Sequence, residues 1–107
     1  MPESFERGAL TEAVYYIMLS LYQPIHGYAI MQNIERLTDG RVVLGPGTLY
    51  GAINVLVQKG WITDVSGSGN SRKKEYVITG LGKQIVSSEL IRLDELIRNG
   101  HKILGEA

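Results

Sequence analysis

The sequence predicts a mainly α-helical fold with a small β-hairpin: a winged helix-turn-helix extended by a long C-terminal helix suited to dimerisation. Three observations predict it. Residues 45–60 read as a helix with one apolar edge and an opposite face almost free of charge. Residues 66–74 are rich in serine, glycine and basic side chains and lie between two stretches of strand composition. Residues 80–107 carry an apolar seam that steps alternately by four and three positions. The expected division is therefore 1–79 for the helix-turn-helix and its wing, and 80–107 for the dimerisation helix.

The elements follow in order. A first helix is expected from Thr11 to Tyr22, with Leu10, Ala13, Val14, Ile17 and Leu21 on one stripe. Tyr15, Met18 and Tyr22, with Tyr16 and Leu19 beside them, make a second apolar stripe, which a single core-facing surface would leave exposed. Such a stripe suits subunit packing or the wall of a ligand groove. Pro24 and Gly27 break the chain, and a second helix is expected from Tyr28 to Leu37 with Ile30, Met31, Ile34 and Leu37 inward. Asp39-Gly40 closes it. Gly45-Pro46 starts the third helix, because proline is tolerated at the first helical position. Leu49, Ile53, Leu56 and Val57 face its core side, while Thr48, Tyr50, Gly51, Asn54 and Gln58 turn outward. Gly60 ends it as a left-handed cap. Residues 61–65 and 75–78 form a two-stranded wing, and Thr79 caps the last helix. On that helix Val86, Leu90, Leu93, Ile97 and Leu104 form the seam expected to meet a second subunit, with Gly100 at the missing step. Ile85, Ile91, Leu96 and Ile103 widen the stripe enough for contacts with both its own domain and a partner.

At 107 residues and 44% hydrophobic content, the chain suits one compact domain. Its formal net charge is zero, yet residues 41–83 hold six basic side chains against two acidic ones, while residues 1–40 hold two against five. Positive charge thus gathers on the third helix and the wing, where a nucleic-acid backbone would be met. The apolar runs are too short and interrupted to span a membrane, no signal peptide is evident, and a cytoplasmic location is expected. The absence of cysteine excludes disulfides and thiolate metal sites. His26 and His101 have no carboxylates at metal-ligand spacing. No nucleophile-base pair, paired carboxylates or phosphate loop with its lysine appears, so neither an enzyme nor a cofactor is expected.

The segments His26-Gly-Tyr-Ala-Ile30, Gly45-Pro-Gly-Thr-Leu-Tyr50, Leu56-Val-Gln-Lys-Gly-Trp-Ile62 and Lys74-Glu-Tyr-Val-Ile-Thr79 occur in an order that resembles the PadR-like family of transcriptional regulators. The resemblance spans nearly the whole chain and is similar to the compact branch with a single C-terminal dimerisation helix. It implies a winged-helix homodimer that represses transcription from a double-stranded DNA operator and releases it when a small effector binds. By that resemblance Thr48 and Tyr50 contact DNA from the recognition helix, Tyr28 supports phosphate binding at the start of the preceding helix, and Arg72, Lys73 and Lys74 track the backbone through the wing. Asn54 is the candidate for reading a base, since an amide pairs with adenine.

Two positions depart from the pattern. Gly45 stands where many relatives place a serine cap, at a modest expected cost. The sole tryptophan, Trp61, begins the wing, whereas family members that sense flat multidrug compounds carry tryptophan on the terminal helix. The expected pocket for a small aromatic or apolar effector is instead lined by Tyr15, Tyr16 and Met18 with Leu93 or Ile97. The alternative to an operator-binding regulator is a winged-helix dimerisation or protein-interaction module, whose outer face meets a protein. A steep fall in affinity with rising salt separates the two.

Overall fold

The computed structural model describes residues 9–66 and 74–105. Helix α1 spans Glu12–Leu19, and Thr11 caps it by accepting the Val14 N–H at 3.1 Å. It ends three residues before the expected limit. Ser20 donates its hydroxyl to the Tyr16 carbonyl and accepts from the Asn33 amide, tying the end of α1 to the next helix. A two-residue strand, β1 (Ile25–His26), follows, then α2 (Gly27–Leu37) and α3 (Pro46–Gln58). Asp39 and Gly40, both at positive φ, close α2, and the Gly40 N–H returns to the Glu35 carbonyl. Gly60, at φ 77°, follows α3 in the left-handed conformation that glycine adopts without steric cost.

The sheet is three-stranded and antiparallel, in the order β1, β3, β2, with β2 at Ile62–Asp64 and β3 at Glu75–Ile78. The expected wing had two strands. The third, β1, is too short to show any period-two pattern, and it forms because Ile25 and His26 lie opposite Tyr76 and Glu75. In the other pair Ile62, Thr63 and Asp64 oppose Ile78, Val77 and Tyr76. Thr79 then joins the sheet to the last helix, α4 (Gly80–Leu104): its hydroxyl donates to the Gly60 and Trp61 carbonyls and accepts the Gly82 N–H at 3.0 Å. Gly105 ends α4 at φ 75°.

The core joins Ile17, Met18 and Leu21 to Ile30 and Ile34 of α2, Leu49, Ile53 and Leu56 of α3, Ile62, Tyr76 and Ile78 of the sheet, and Val86 of α4. Two inward assignments change. Val57 and Leu37 are exposed, because Leu49, Ile53 and Leu56 already fill the buried side of α3 and Leu37 lies in the last turn of α2. The second stripe of α1 is largely covered from within the domain: α4 packs across it, Met18 is fully buried, and Tyr15 and Tyr16 are half-buried. Only Tyr22, beyond the end of the helix, remains exposed.

One buried charge holds this packing. The Glu89 side chain is 4% exposed; it accepts two hydrogen bonds from Arg92, at 2.8 and 2.7 Å, and one from the Leu10 N–H at 3.3 Å. The Arg92 hydrogen bonds hold its carboxyl below the ordinary range against the opposing effect of burial. A second tie runs from Arg41, in the turn between α2 and α3, to Glu12 at the start of α1. The first half of α4 thus belongs to the domain, whereas its second half extends past it with Leu96, Ile97, Ile103 and Leu104 exposed.

Candidate nucleic-acid interface

Helix α3 buries Leu49, Ile53 and Leu56 and thereby turns Thr48, Gly51, Asn54 and Gln58 to the surface. These exposed positions carry no ionised side chain. Hydroxyl and amide groups on a helix with small neighbours can reach phosphates or base edges without desolvating a charge. The N-cap of α3, Gly45, makes no side-chain hydrogen bond, and neither does His26, the N-cap of α2. The first backbone N–H groups of both helices therefore lack a side-chain acceptor at the cap, the geometry that suits a phosphate. Tyr28, in the first turn of α2, is 65% exposed.

Lys74 is exposed immediately before β3. Arg72 and Lys73, the other expected wing cations, lie outside the described residues. Of the remaining basic groups on this half of the chain, Lys59 lies 5.1 Å from the Trp61 ring centroid and Lys83 lies 5.7 Å from that of Tyr22, contacts that orient both ammonium groups on aromatic faces. The base of the wing is ordered by its own polar contacts. Asp64 accepts from both the backbone N–H and the hydroxyl of Ser66, which hold its carboxyl below its usual range. Opposite it, burial pushes the Tyr76 phenol up. The imidazole of His26 lies 3.5 Å from the Glu75 carboxylate across the β1–β3 pair.

Tyr50 differs from its neighbours. It is 42% exposed, and its ring packs back onto the start of α2 at Gly27. Neither Gly27 as its seat nor the buried Glu89 stood out in the sequence. A glutamate three residues before an arginine on a helix signals a surface pair. Nothing local signals that Glu89 is buried and accepts the N–H of Leu10, which is 79 positions away.

The residues expected at an effector pocket separate into two groups. Tyr15, Tyr16 and Leu93 line a half-open cavity of about 280 Å³ between α1 and α4, together with Leu10, Glu12, Glu89 and Arg92. The Tyr15 and Tyr16 rings meet edge to face with centroids 5.9 Å apart. Met18 lies in the core and Ile97 is exposed one turn beyond Leu93, so neither lines this cavity. The expected dimer seam divides similarly. Val86 is 2% exposed within its own domain and is not available to a partner; Leu93 is half-buried; Leu90, Ile97 and Leu104 are exposed, as are Ile91, Leu96 and Ile103. Among the described residues no helix is long and apolar enough to cross a membrane.

Residues 17–88 match the model of the Transcriptional regulator PadR-like family. Among solved structures, a PadR family transcriptional regulator from Eggerthella lenta has 24% identity and a TM-score of 0.71, covering 97% of this chain and 88% of that one. A transcriptional regulator from Clostridium thermocellum has 26% identity and a TM-score of 0.66, over 88% and 89% of the two chains. PadR of Bacillus subtilis, solved in complex with operator DNA, has 25% identity and a TM-score of 0.65, over 75% of this chain and 47% of that one. A 37.1 kDa protein in transposon TN4556 of Streptomyces fradiae is 36% identical over 66 residues, 62% of this chain and 18% of that protein. The chain thus spans less than a fifth of the length of that curated relative.

Proposed function

The chain belongs to the PadR-like family of transcriptional regulators, and we propose that it is a homodimeric repressor that binds an operator in double-stranded DNA and is released by a small aromatic or apolar effector. The observation that carries the DNA-binding part is the outer face of α3, where Thr48, Asn54 and Gln58 are exposed and no charge is present, beside a wing that carries Lys74. The operator complex of the Bacillus subtilis relative supports the same partner.

In this reading α3 enters the major groove, Thr48 positions a phosphate and Asn54 reads a base edge. Tyr28 supports a phosphate at the start of α2, and Arg72, Lys73 and Lys74 follow the backbone. Leu90, Ile97 and Leu104, with Leu93 at their edge, form the dimer contact. Two recognition helices then address successive major grooves about 34 Å apart. The effector occupies the cavity beside Tyr15, Tyr16 and Leu93, which the packing of α1 on α4 connects to the dimer contact. It acts only through different affinities for two separations of the heads, since equal affinity shifts no equilibrium.

The test is selection from a random duplex pool by the purified protein, followed by salt titration of the enriched sequence. The expected result is a pair of inverted half-sites and an affinity that falls steeply with salt, less steeply when Arg72, Lys73 and Lys74 are replaced by alanine. Recovery of no sequence, with binding indifferent to those three residues, would identify a protein-interaction module instead. Titration calorimetry of the protein–operator complex with aromatic ligands tests the effector: no ligand-linked change in DNA affinity removes that part.

A further inference from the structure

Tyr50 is the largest side chain on the outward half of α3, and it is aimed at the neighbouring helix. A Cβ built on Gly27 would lie 2.6 Å from Tyr50 Cζ and 2.8 Å from Cε1, and nearer still to the hydroxyl. The phenol therefore occupies the volume that any other residue at position 27 would need. Gly27 is itself a junction: it is buried, it begins α2, and it directly follows His26, the residue of β1 that pairs with Glu75 of the wing strand. On that strand, the Tyr76 phenol is raised first by burial, then by the nearby Asp64 carboxylate. The end of the Tyr50 side chain thus sits against the start of α2.

The packing of α2 on α3 leaves this point with a distinct job. Ile30, Ile34, Leu49 and Ile53 supply apolar contacts inside the domain, and such contacts tolerate small rotations of one helix on another. The Tyr50–Gly27 contact is a ring against backbone, so on the Gly27 side nothing can yield without moving the chain. A small displacement there rotates the whole outer face of α3 relative to the uncapped start of α2. We infer that Tyr50 is a positioning residue for DNA reading: its ring, seated in the space left by Gly27, fixes α3 over α2 and thereby decides which base edges Asn54 and Thr48 reach. The hydroxyl is not required to touch DNA. The inference rests on the DNA-binding reading above.

The test uses the full chain and the duplex enriched by the wild type. Four variants are compared with it: Tyr50→Phe, Tyr50→Ala, Gly27→Ala and the double variant Gly27→Ala/Tyr50→Ala. Readouts are operator affinity, discrimination against single-base changes, salt slope and thermal unfolding. Tyr50→Phe keeps the ring and should stay within about threefold of wild type in affinity, with discrimination unchanged. Tyr50→Ala and Gly27→Ala should each lose about tenfold or more on the operator and flatten the preference between bases, while the salt slope is retained because the phosphate contacts survive. In the double variant the losses should not multiply, because the new methyl group enters space the phenol has vacated.

A Tyr50→Phe loss as large as that of Tyr50→Ala would overturn the inference and mark a direct hydroxyl contact. Multiplying losses would overturn it too, as would a Gly27→Ala variant that binds and discriminates normally. If Gly27→Ala fails to fold, the comparison of Tyr50→Phe with Tyr50→Ala still decides. A wild-type chain that selects no sequence at all would fail the DNA-binding reading itself, an outcome distinct from every variant result.

Discussion

Two of the exposed helical faces of this protein differ in kind. The outer face of α3 presents Thr48, Gly51, Asn54 and Gln58; the far half of α4 presents Leu96, Ile97, Ile103 and Leu104. Water is an adequate neighbour for the first, since hydroxyls and amides lose little by exposure and gain directional bonds when a polar partner arrives. For the second it is a poor one, because each buried methylene contributes about 0.8 kcal/mol when removed from water. Exposure alone therefore does not identify a functional surface. Its chemistry narrows the kind of surface each face suits: a polar one for α3, an apolar one for α4.

The largest expected effect breaks the apolar face. Ile97→Asp puts an unpaired carboxylate into the proposed contact between subunits. Sedimentation should show a monomer, and loss of the second recognition helix should weaken operator binding by about 100- to 10,000-fold. A dimer that persists in this variant would place the interface elsewhere.

Next in size is the boundary between the two halves of α4. Glu89→Ala leaves the Arg92 guanidinium and the Leu10 N–H without their acceptor and should cost about 3 kcal/mol in urea unfolding. Acidity probes the same contact. The folded-state carboxyl is held below its ordinary 4.5, so its contribution is fully present above that value and is lost as pH falls through the depressed folded value. The stability gap between wild type and Glu89→Gln should narrow over this acid range. A constant gap would mean that Arg92 does not stabilise the ionised form.

The polar face should respond by smaller, more selective steps. Asn54→Ala is expected to cost about 1–3 kcal/mol on the preferred base pair and much less on other bases at that position, read by competition among single-base variants. Equal losses on every sequence would reassign Asn54 to the phosphate backbone. The smallest effect belongs to Lys74→Ala, which should weaken binding about equally on all sequences and reduce the salt slope by about 1.

How much was legible depends on how far apart in the chain the interacting groups lie. The helical periodicity of Leu49, Ile53 and Leu56, the cap at Thr79 and the left-handed Gly60 are written within a few residues, and each appears as the sequence indicates. Met18 looks like the exposed Tyr22 and Val86 like the exposed Leu90 in the sequence, because an apolar residue on a helix does not say which surface will cover it. Strand β1 is invisible for a similar reason: two residues have no periodicity, and their partners are about 50 positions away. Tyr50 is the instructive site residue. Its place in the motif marks it as important, but only the approach of Gly27 shows that its ring is turned toward α2.

By itself, then, the sequence determined the order of the elements, the polar character of one helical face and the apolar character of another, since side-chain chemistry and spacing along one chain suffice for these. The tertiary structure alone decided which apolar residues are spent inside the domain and which are left exposed. It also decided that Glu89 is buried and accepts the Leu10 N–H, and that the Tyr50 phenol fills the space at Gly27. These outcomes depend on surfaces brought together from distant parts of the chain, where close packing lets only one side chain occupy each volume.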